Sequence, residues 1–376
     1  MEKGRVNRKS QRAQRGENGK RGEKEKGKGK ILRVDVEALS KKYPIFIGEL
    51  PKIELKGKVA VITNPKVGGL HLSYLLQRLK GDEVYIVTLP DGEEYKNWES
   101  IQYGLDRLFD HKLDRNSTLI AFGGGVIGDM TGFLASIFLR GIKFIQIPTT
   151  LLAMVDSSVG GKTGINNRFG KNLVGSFYQP EVVYIDTHFL QTLPPREFRA
   201  GMAEIIKMAV MFDRDFFEKI ERGSISIEEA IKRAVELKAW VVSEDEKERG
   251  VRSVLNYGHT FGHVIENLTN YRKYLHGEAV AMGIAMANRL AEKMGLLTRE
   301  EGERIENLLR REGLPTYFPV EDPEEFYSHF FLDKKASQNR LKFILPDGIG
   351  KFKIVENPPK GVVIETLEEF PKGAKG

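Results

Sequence analysis

The 376-residue chain contains no cysteine. It therefore forms no disulfides, and any metal it binds sees only nitrogen and oxygen ligands. This absence fits a cytoplasmic protein. No run approaches the roughly 20 apolar residues a membrane span requires, so no membrane partner is expected. The basic opening residues lack the apolar segment of a secretory signal. Tryptophan occurs twice and histidine 7 times. The abundant Lys and Glu are compatible with a thermophilic source.

The net charge of +7 belongs to one end of the chain. Residues 1–30 hold 12 Lys/Arg against 4 Asp/Glu, leaving 47 basic and 48 acidic residues in the remainder. With almost no apolar side chains, this tail cannot offset the entropy of ordering and is expected to be disordered. It reads as a solvated extension or as an electrostatic tether to an anionic surface such as nucleic acid. A body with a net charge of −1 argues against nucleic-acid binding as the main function.

What is present divides near residue 190. Before it, strand-like runs (Ile31–Val36, Ile45–Gly48, Lys58–Thr63, Glu83–Thr88, Lys143–Pro148, Val182–Asp186) alternate with helical periods at Leu70–Leu79 and Trp98–Phe109. That alternation predicts an α/β domain over 31–190 with a doubly wound, mostly parallel sheet. After it, helical periodicity dominates in Phe198–Met211, Ile227–Val242, Gly258–Leu268, Glu278–Met294 and Arg299–Glu312. An all-α domain over 191–376 is expected there.

Three of the seven histidines, His259, His263 and His276, fall within a few turns of chain. Imidazole coordinates metals and titrates near neutrality, so such a cluster suits a metal or an acid–base site. His259 and His263 stand at i and i+4 and share one helix face. Two solvated histidines would show the same spacing. By spacing alone this pair is the chelate, and Glu204, on the apolar run Gly201–Ala209, is the best carboxylate donor. A plain Glu204–Lys207 ion pair at a helix surface is the alternative for that run.

Gly123-Gly124-Gly125 sits between a strand and a helix, where backbone N–H groups can approach a diphosphate. A tight structural turn is the other reading. Asp156-Ser-Ser-Val-Gly-Gly-Lys162-Thr163 fails the P-loop pattern, because Asp156 replaces the first glycine. It still suits a phosphorylated small molecule. Lys207, Lys238, Arg252 and Asp333-Lys334-Lys335 add cations fit for a multiply anionic substrate.

In order, Asp91–Lys96, Gly123–Asp129, Pro148–Thr150, Val155–Gly164, Lys171-Asn172, Gly201–Lys207, Asn256–His263, His276–Glu278 and Asp333–Lys335 resemble the 3-dehydroquinate synthase family of sugar-phosphate cyclases. The resemblance covers about residues 31–370. It implies an NAD-binding α/β domain, a helical metal- and substrate-binding domain, a cleft between them and a homodimer. The implied reaction converts 3-deoxy-D-arabino-heptulosonate 7-phosphate into 3-dehydroquinate and phosphate. An alcohol is oxidised so that the adjacent C–H becomes acidic, and phosphate leaves by β-elimination. The ketone is then reduced again, the ring opens, and an aldol closes the carbocycle. The implied cofactors are NAD+, which is not consumed, and zinc or cobalt.

By resemblance the metal ligands are Glu204, His259 and His276, while His263 handles protons near the phosphate. Lys162, Asn172, Asn256, His263 and one lysine of the Asp333 tripeptide, taken as Lys335, would hold phosphate, with Arg140 reaching it from a partner subunit. Lys238 and Arg252 would pair with the carboxylate, and Asp156 and Lys207 would meet ring hydroxyls. The NAD-side positions are Asp91, Gly92, Glu93, Glu94, Tyr95, Lys96, Gly125, Val126, Ile127, Gly128, Asp129, Thr149, Thr150, Lys162, Lys171, Phe189, Leu190, Gln191 and Thr192. Two related readings compete. Cyclases that make an inosose or a valiolone lack a substrate carboxylate for Lys238 and Arg252. A metal-dependent polyol dehydrogenase would accumulate NADH.

Overall fold

A computed structural model describes residues 31–331 and 341–373. The basic tail and the Asp333-Lys334-Lys335 tripeptide lie outside the described residues, so the expectations for residues 1–30 and for Lys335 have no structural counterpart here.

Two strands, β1 (Leu32–Glu37) and β2 (Lys42–Ile47), open the body, followed by the short β3 (Ile53–Glu54) and by β4 (Lys58–Thr63). Helix α1 (Pro65–Leu76) leads to β5 (Leu79–Lys80) and β6 (Glu83–Thr88); α2 (Trp98–Asp110) then precedes β7 (Thr118–Gly123), α3 (Gly125–Ile137) and β8 (Lys143–Pro148). A hairpin of β9 (Lys162–Asn167) and β10 (Gly170–Phe177) stands before β11 (Val183–Ile185). The main sheet runs β1-β2-β11-β8-β7-β4-β6. All its pairings are parallel except β1 with β2. The expected mostly parallel α/β sheet is therefore present.

Side chains alternate across this sheet as strand geometry requires. Val59, Val61, Ile120, Phe122, Ile145 and Ile147 face one apolar cluster. Ala60, Ile62, Leu119 and Phe144 face another, under Ile101 of α2 and Met130 of α3. The first cluster continues without a break into the helices, taking in Met202, Ile231, Phe261 and Met286. Burying each such side chain contributes about 1.5–3 kcal/mol.

The helical part comprises α4 (Pro195–Phe212), α5 (Arg214–Arg222), α6 (Ile227–Glu244), α7 (His259–Leu268), α8 (His276–Lys293), α9 (Arg299–Arg311), α10 (Pro323–His329) and α11 (Lys360–Gly373). It is not all-α. Strands β12 (Lys342–Pro346) and β13 (Phe352–Glu356) form an antiparallel hairpin. Phe343, Ile344 and Leu345 are buried, and Phe343 lies 5.2 Å from Phe261 between ring centroids. A short apolar run of this kind does not announce its period, and tertiary burial decided it.

Helix α1 also begins earlier than the Leu70–Leu79 period predicts. Asn64 accepts a hydrogen bond from Val67 N at 2.8 Å, and Pro65 takes the first helical position. Pro65 therefore starts a helix and does not merely close the strand before it.

Candidate active site

Three helices meet closely because glycine lets their backbones touch. A Cβ on Gly277 of α8 would lie 2.1 Å from Ala200 O of α4, and one on Gly283 would lie 2.0 Å from Gly258 O at the start of α7. Those approaches bring Glu204, His259 and His276 together, with ligand atoms all within 4.8 Å of one another. Glu204 Oε1 stands 3.6 Å from His259 Nε2 and 3.8 Å from His276 Nε2. It is buried without a hydrogen-bond donor among the described residues. Lys207 pairs with Glu204 Oε2 inside the same helix, so that ion pair exists but is buried and not at a surface.

Both rings are oriented from behind. His259 Nδ1–H donates to Tyr257 O at 3.1 Å, and His276 Nδ1–H donates to Glu266 Oε1 at 3.1 Å. Burial, then the charge of Lys207, pushes the His259 pKa well down, so its ring is neutral. Burial opposes charge on His276 as well, but the Glu266 hydrogen bond and the charges of Glu266 and Glu204 outweigh it and raise that pKa. A buried carboxylate oxygen with no hydrogen-bond donor, faced by two imidazole nitrogens, fits a divalent metal with two His and one Glu ligand.

His263 is exposed and outside this triple, although its ring centroid lies 5.6 Å from that of His259. The chelating pair suggested by i,i+4 spacing is therefore corrected. The third member comes from α8, 17 residues after His259 by number, and not from the next turn of α7.

Beside the triple, Asp156 occupies a π-helical turn at Ala153–Ser157. Such turns frequently mark functional sites. Lys238 Nζ donates to Asp156 Oδ1 at 2.5 Å and also to its backbone carbonyl. Burial raises the Asp156 pKa, but Lys238 and Lys207 more than reverse it and hold the carboxyl well below its usual range. Arg252 is 2% exposed, and its Nη1 donates to Gly160 O at 3.2 Å and to Glu246 O. Gly160 and Gly161 take φ of +103° and +68°. A Cβ on Gly160 would lie 2.3 Å from Arg252 Nη2, so the turn admits only glycine there. Gly160-Gly161-Lys162 leads into strand β9, not a helix, which excludes a P-loop.

A second constellation lies by the glycine-rich strand end. Lys96 Nζ donates to Asp129 Oδ2 at 2.6 Å and to Asn172 Oδ1 at 2.5 Å. Burial opposes the Lys96 charge, but Asp129 and Glu93 more than offset it and raise its pKa. Asn172 holds φ +56°, and its N–H donates to Asn166 Oδ1. Asp91 Oδ1 accepts from Asn64 Nδ2 at 2.8 Å. No side chain caps the start of α3 at Gly124, Gly125 packs against Ser157, and Thr149 Oγ1 is buried without a partner among the described residues. An open helix N-terminus with a partnerless hydroxyl beside it suits a dinucleotide phosphate. Gly128 packs on Gln146, Ile127 is core, and Val126 is half-buried.

The remaining positions vary. Thr192 Oγ1 meets His71 Nε2 at 2.6 Å, while the Phe189 ring is core against Phe122, with ring centroids 5.4 Å apart. Leu190 is half-buried and Gln191 exposed. Glu93 Oε1 accepts from Asn166 Nδ2 at 2.8 Å, Gly92, Glu94 and Tyr95 belong to the same turn as Glu93, and Thr150 Oγ1 accepts from Ala153 N at 3.2 Å. Lys162 pairs with Glu248, Lys171 Nζ stands 4.1 Å over the Tyr271 ring, and Asn256 ends the turn Val251–Asn256. Arg140 is exposed after α3 with φ +69°. Sequence reasoning missed Glu248, Glu266, Tyr257 and Asn64. Glu248 carries φ +55°, a strained backbone of the kind that clusters at functional sites, but no one-dimensional pattern reports it.

Together these features define an α/β enzyme with a glycine-rich nucleotide-type strand end and a two-histidine, one-glutamate metal-type centre. Solved structures share that architecture. A 2-deoxy-scyllo-inosose synthase complexed with carbaglucose-6-phosphate, NAD+ and Co2+ is 28% identical, with TM-score 0.79, covering 90% of this chain and 100% of its own. A 2-epi-5-epi-valiolone synthase from Streptomyces hygroscopicus subsp. jinggangensis 5008, with NAD+ and Zn2+ bound, is 26% identical, with TM-score 0.76, covering 87% of this chain and 98% of its own. The family models for the 3-dehydroquinate synthase N-terminal and C-terminal parts match residues 86–200 and 201–336. A 3-dehydroquinate synthase of a Nitratiruptor species is 63% identical over 334 residues, 88% of this chain and 96% of the relative. The chain belongs to the 3-dehydroquinate synthase family.

Proposed function

We propose that this chain is a 3-dehydroquinate synthase, a carbon–oxygen lyase of the shikimate pathway that turns 3-deoxy-D-arabino-heptulosonate 7-phosphate into 3-dehydroquinate and phosphate. The observation that carries this is the convergent Glu204–His259–His276 triple inside a chain that matches both family models. Inosose- and valiolone-forming synthases share the fold at 26–28% identity, whereas curated 3-dehydroquinate synthases reach 63%.

When bound, NAD+ supplies a reversible hydride acceptor and a divalent metal supplies a Lewis acid at the oxidised hydroxyl. Glu204, His259 and His276 would hold the metal; the loops at Asp91–Lys96, Gly125–Asp129 and Phe189–Thr192 would hold the nucleotide. On this reading residues 31–190 bind NAD+ and residues 191–376 bind metal and substrate. Asp156, kept ionised by Lys238 and Lys207, orients ring hydroxyls. Lys162, Asn172 and Asn256 bind the phosphate. Exposed His263 exchanges the proton on the phosphate side, which its separation from the buried triple supports. Lys238 and Arg252 provide positive charge toward the carboxylate. Arg140, exposed and without a side-chain partner among the described residues, would complete the phosphate site of a partner in a homodimer, and the enzyme would work in the cytoplasm.

The test is phosphate release from the heptulosonate phosphate with catalytic NAD+. Phosphate should exceed NADH many-fold. Stoichiometric NADH without phosphate would replace this reading with a dehydrogenase.

A further inference from the structure

Glu266 has no part in the reaction as described above. It lies on α7 seven residues beyond His259, two helical turns along the same side, and it is 6% exposed. Its Oε1 accepts the His276 Nδ1 proton at 3.1 Å, and His276 Nε2 faces Glu204 Oε1 at 3.8 Å. The other histidine of the triple is held differently, by the neutral carbonyl of Tyr257. One ring is thus backed by a peptide dipole and the other by a full carboxylate.

The backbone that carries Glu266 is itself held in place. Glu266 O accepts from Tyr271 N at 2.7 Å, and Asn270 and Tyr271 both adopt left-handed backbone, φ +50° and +55°. That tight reversal carries the chain from the end of α7 back to His276 at the start of α8. Strain of this kind persists only where the surroundings over-determine it.

We propose that Glu266 is a positioning residue that sets how tightly the Glu204–His259–His276 cluster holds a divalent cation, by fixing the His276 tautomer and strengthening Nε2 as a donor. The inference rests on the reading of that triple as a metal site. Outer carboxylates behind ligating histidines typically account for about 10- to 100-fold in metal affinity. The asymmetry adds a sharper consequence: His276 is the ligand whose donor strength a single side-chain change can tune, because the support behind His259 is backbone.

The test uses metal-stripped full-length protein titrated with Zn2+ in competition with a chromophoric chelator. Glu266→Gln keeps the shape and an acceptor oxygen but removes the charge. It should weaken Zn2+ binding about 10- to 100-fold, and excess Zn2+ should restore most of kcat. Glu266→Ala should lose at least as much affinity. Should Ala fail to fold, as judged by melting of the metal-free protein, the Gln variant carries the test alone. His276→Ala is the control for the underlying reading. If it weakens Zn2+ binding while Glu266→Gln binds as wild type, the role given to Glu266 is wrong. If His276→Ala itself binds Zn2+ as wild type, the metal reading of the triple fails and the inference falls with it.

Discussion

The metal-type centre and the glycine-rich strand end are assembled by opposite means. At the first, side chains from three helices face one another, and one oxygen, Glu204 Oε1, is left without a donor among the described residues. At the second, loops supply the groups, and the Lys96 ammonium is already tied to Asp129 and Asn172. A partnerless buried oxygen costs about 1–3 kcal/mol or more when charged, a cost that a bound cation would offset. The charged groups of the loop centre already pair with one another, so a nucleotide would have to exchange those contacts on entering. The first should therefore respond to substitution in metal content, the second in nucleotide affinity.

The largest expected effect separates two histidines of one helix. His259→Ala should lose bound metal and turnover together. His263→Ala should keep its metal and its NAD+ affinity while turnover falls about two to four orders of magnitude, the usual worth of acid–base help. Metal analysis beside single-turnover oxidation of an analogue that cannot eliminate checks this. A metal-free His263→Ala protein, under conditions that load wild type, would return His263 to the ligand set.

On the loop side, Lys96→Met removes charged hydrogen bonds worth about 1.5–3 kcal/mol each. NAD+ affinity by calorimetry should drop at least tenfold while metal content stays unchanged. A parallel loss of metal would erase the distinction between the two regions.

Gly277→Ala acts on assembly of the helical centre alone. Its Cβ would meet backbone at Ala200 O, which cannot move like a side-chain tip. Overpacking of this kind costs about 1–3 kcal/mol. Chemical denaturation should show that loss, and Zn2+ affinity should fall with it because α4 and α8 are forced apart.

Tyr43 ties the body to the Gly160 turn: its hydroxyl oxygen accepts from Gly160 N at 3.2 Å. Burial, only partly opposed by that bond and by Arg252, raises the phenol pKa from 10.0 to about 12. The associated stability is fully present below pH 10 and is lost as pH rises toward 12, because the unfolded chain releases its proton first. Two pKa units correspond to about 2–3 kcal/mol. Wild type should lose that much more stability than Tyr43→Phe between pH 10 and 12, measured by urea unfolding. The smallest effect is expected from deleting residues 1–30, which should lower the pI and leave turnover and melting temperature nearly unchanged. A large loss of turnover would bring the tail into the site.

The strands were legible because Lys58–Thr63, Glu83–Thr88 and Lys143–Pro148 are short apolar runs bounded by polar turns, and each became a strand of the main sheet. The α7 and α8 periods were legible for the same kind of reason. The 342–356 hairpin was not, since an apolar run as short as Phe343–Leu345 suits a buried helix turn equally well. Within the candidate site, the ligand types were visible as a cluster of scarce histidines with an isolated glutamate, but spacing ranked His263 above His276. An i,i+4 pair is adjacent on any helix, whereas His276 becomes adjacent to His259 only after α8 folds back on α7.

Local pattern was enough for the parallel sheet, the helices that follow it, the absence of any thiolate ligand, and the residue types available to a metal and a phosphate. Periodicity and composition carry all of these, and both can be read a few residues at a time. Tertiary packing alone settled which three side chains converge, that Lys207 and Glu204 pair in the interior, and that Glu266 stands behind His276. The convergence of the three side chains depends on backbones closing to contact at Gly277 and Gly283. Such closeness between distant segments is set by how whole helices pack and leaves no periodic trace along the chain.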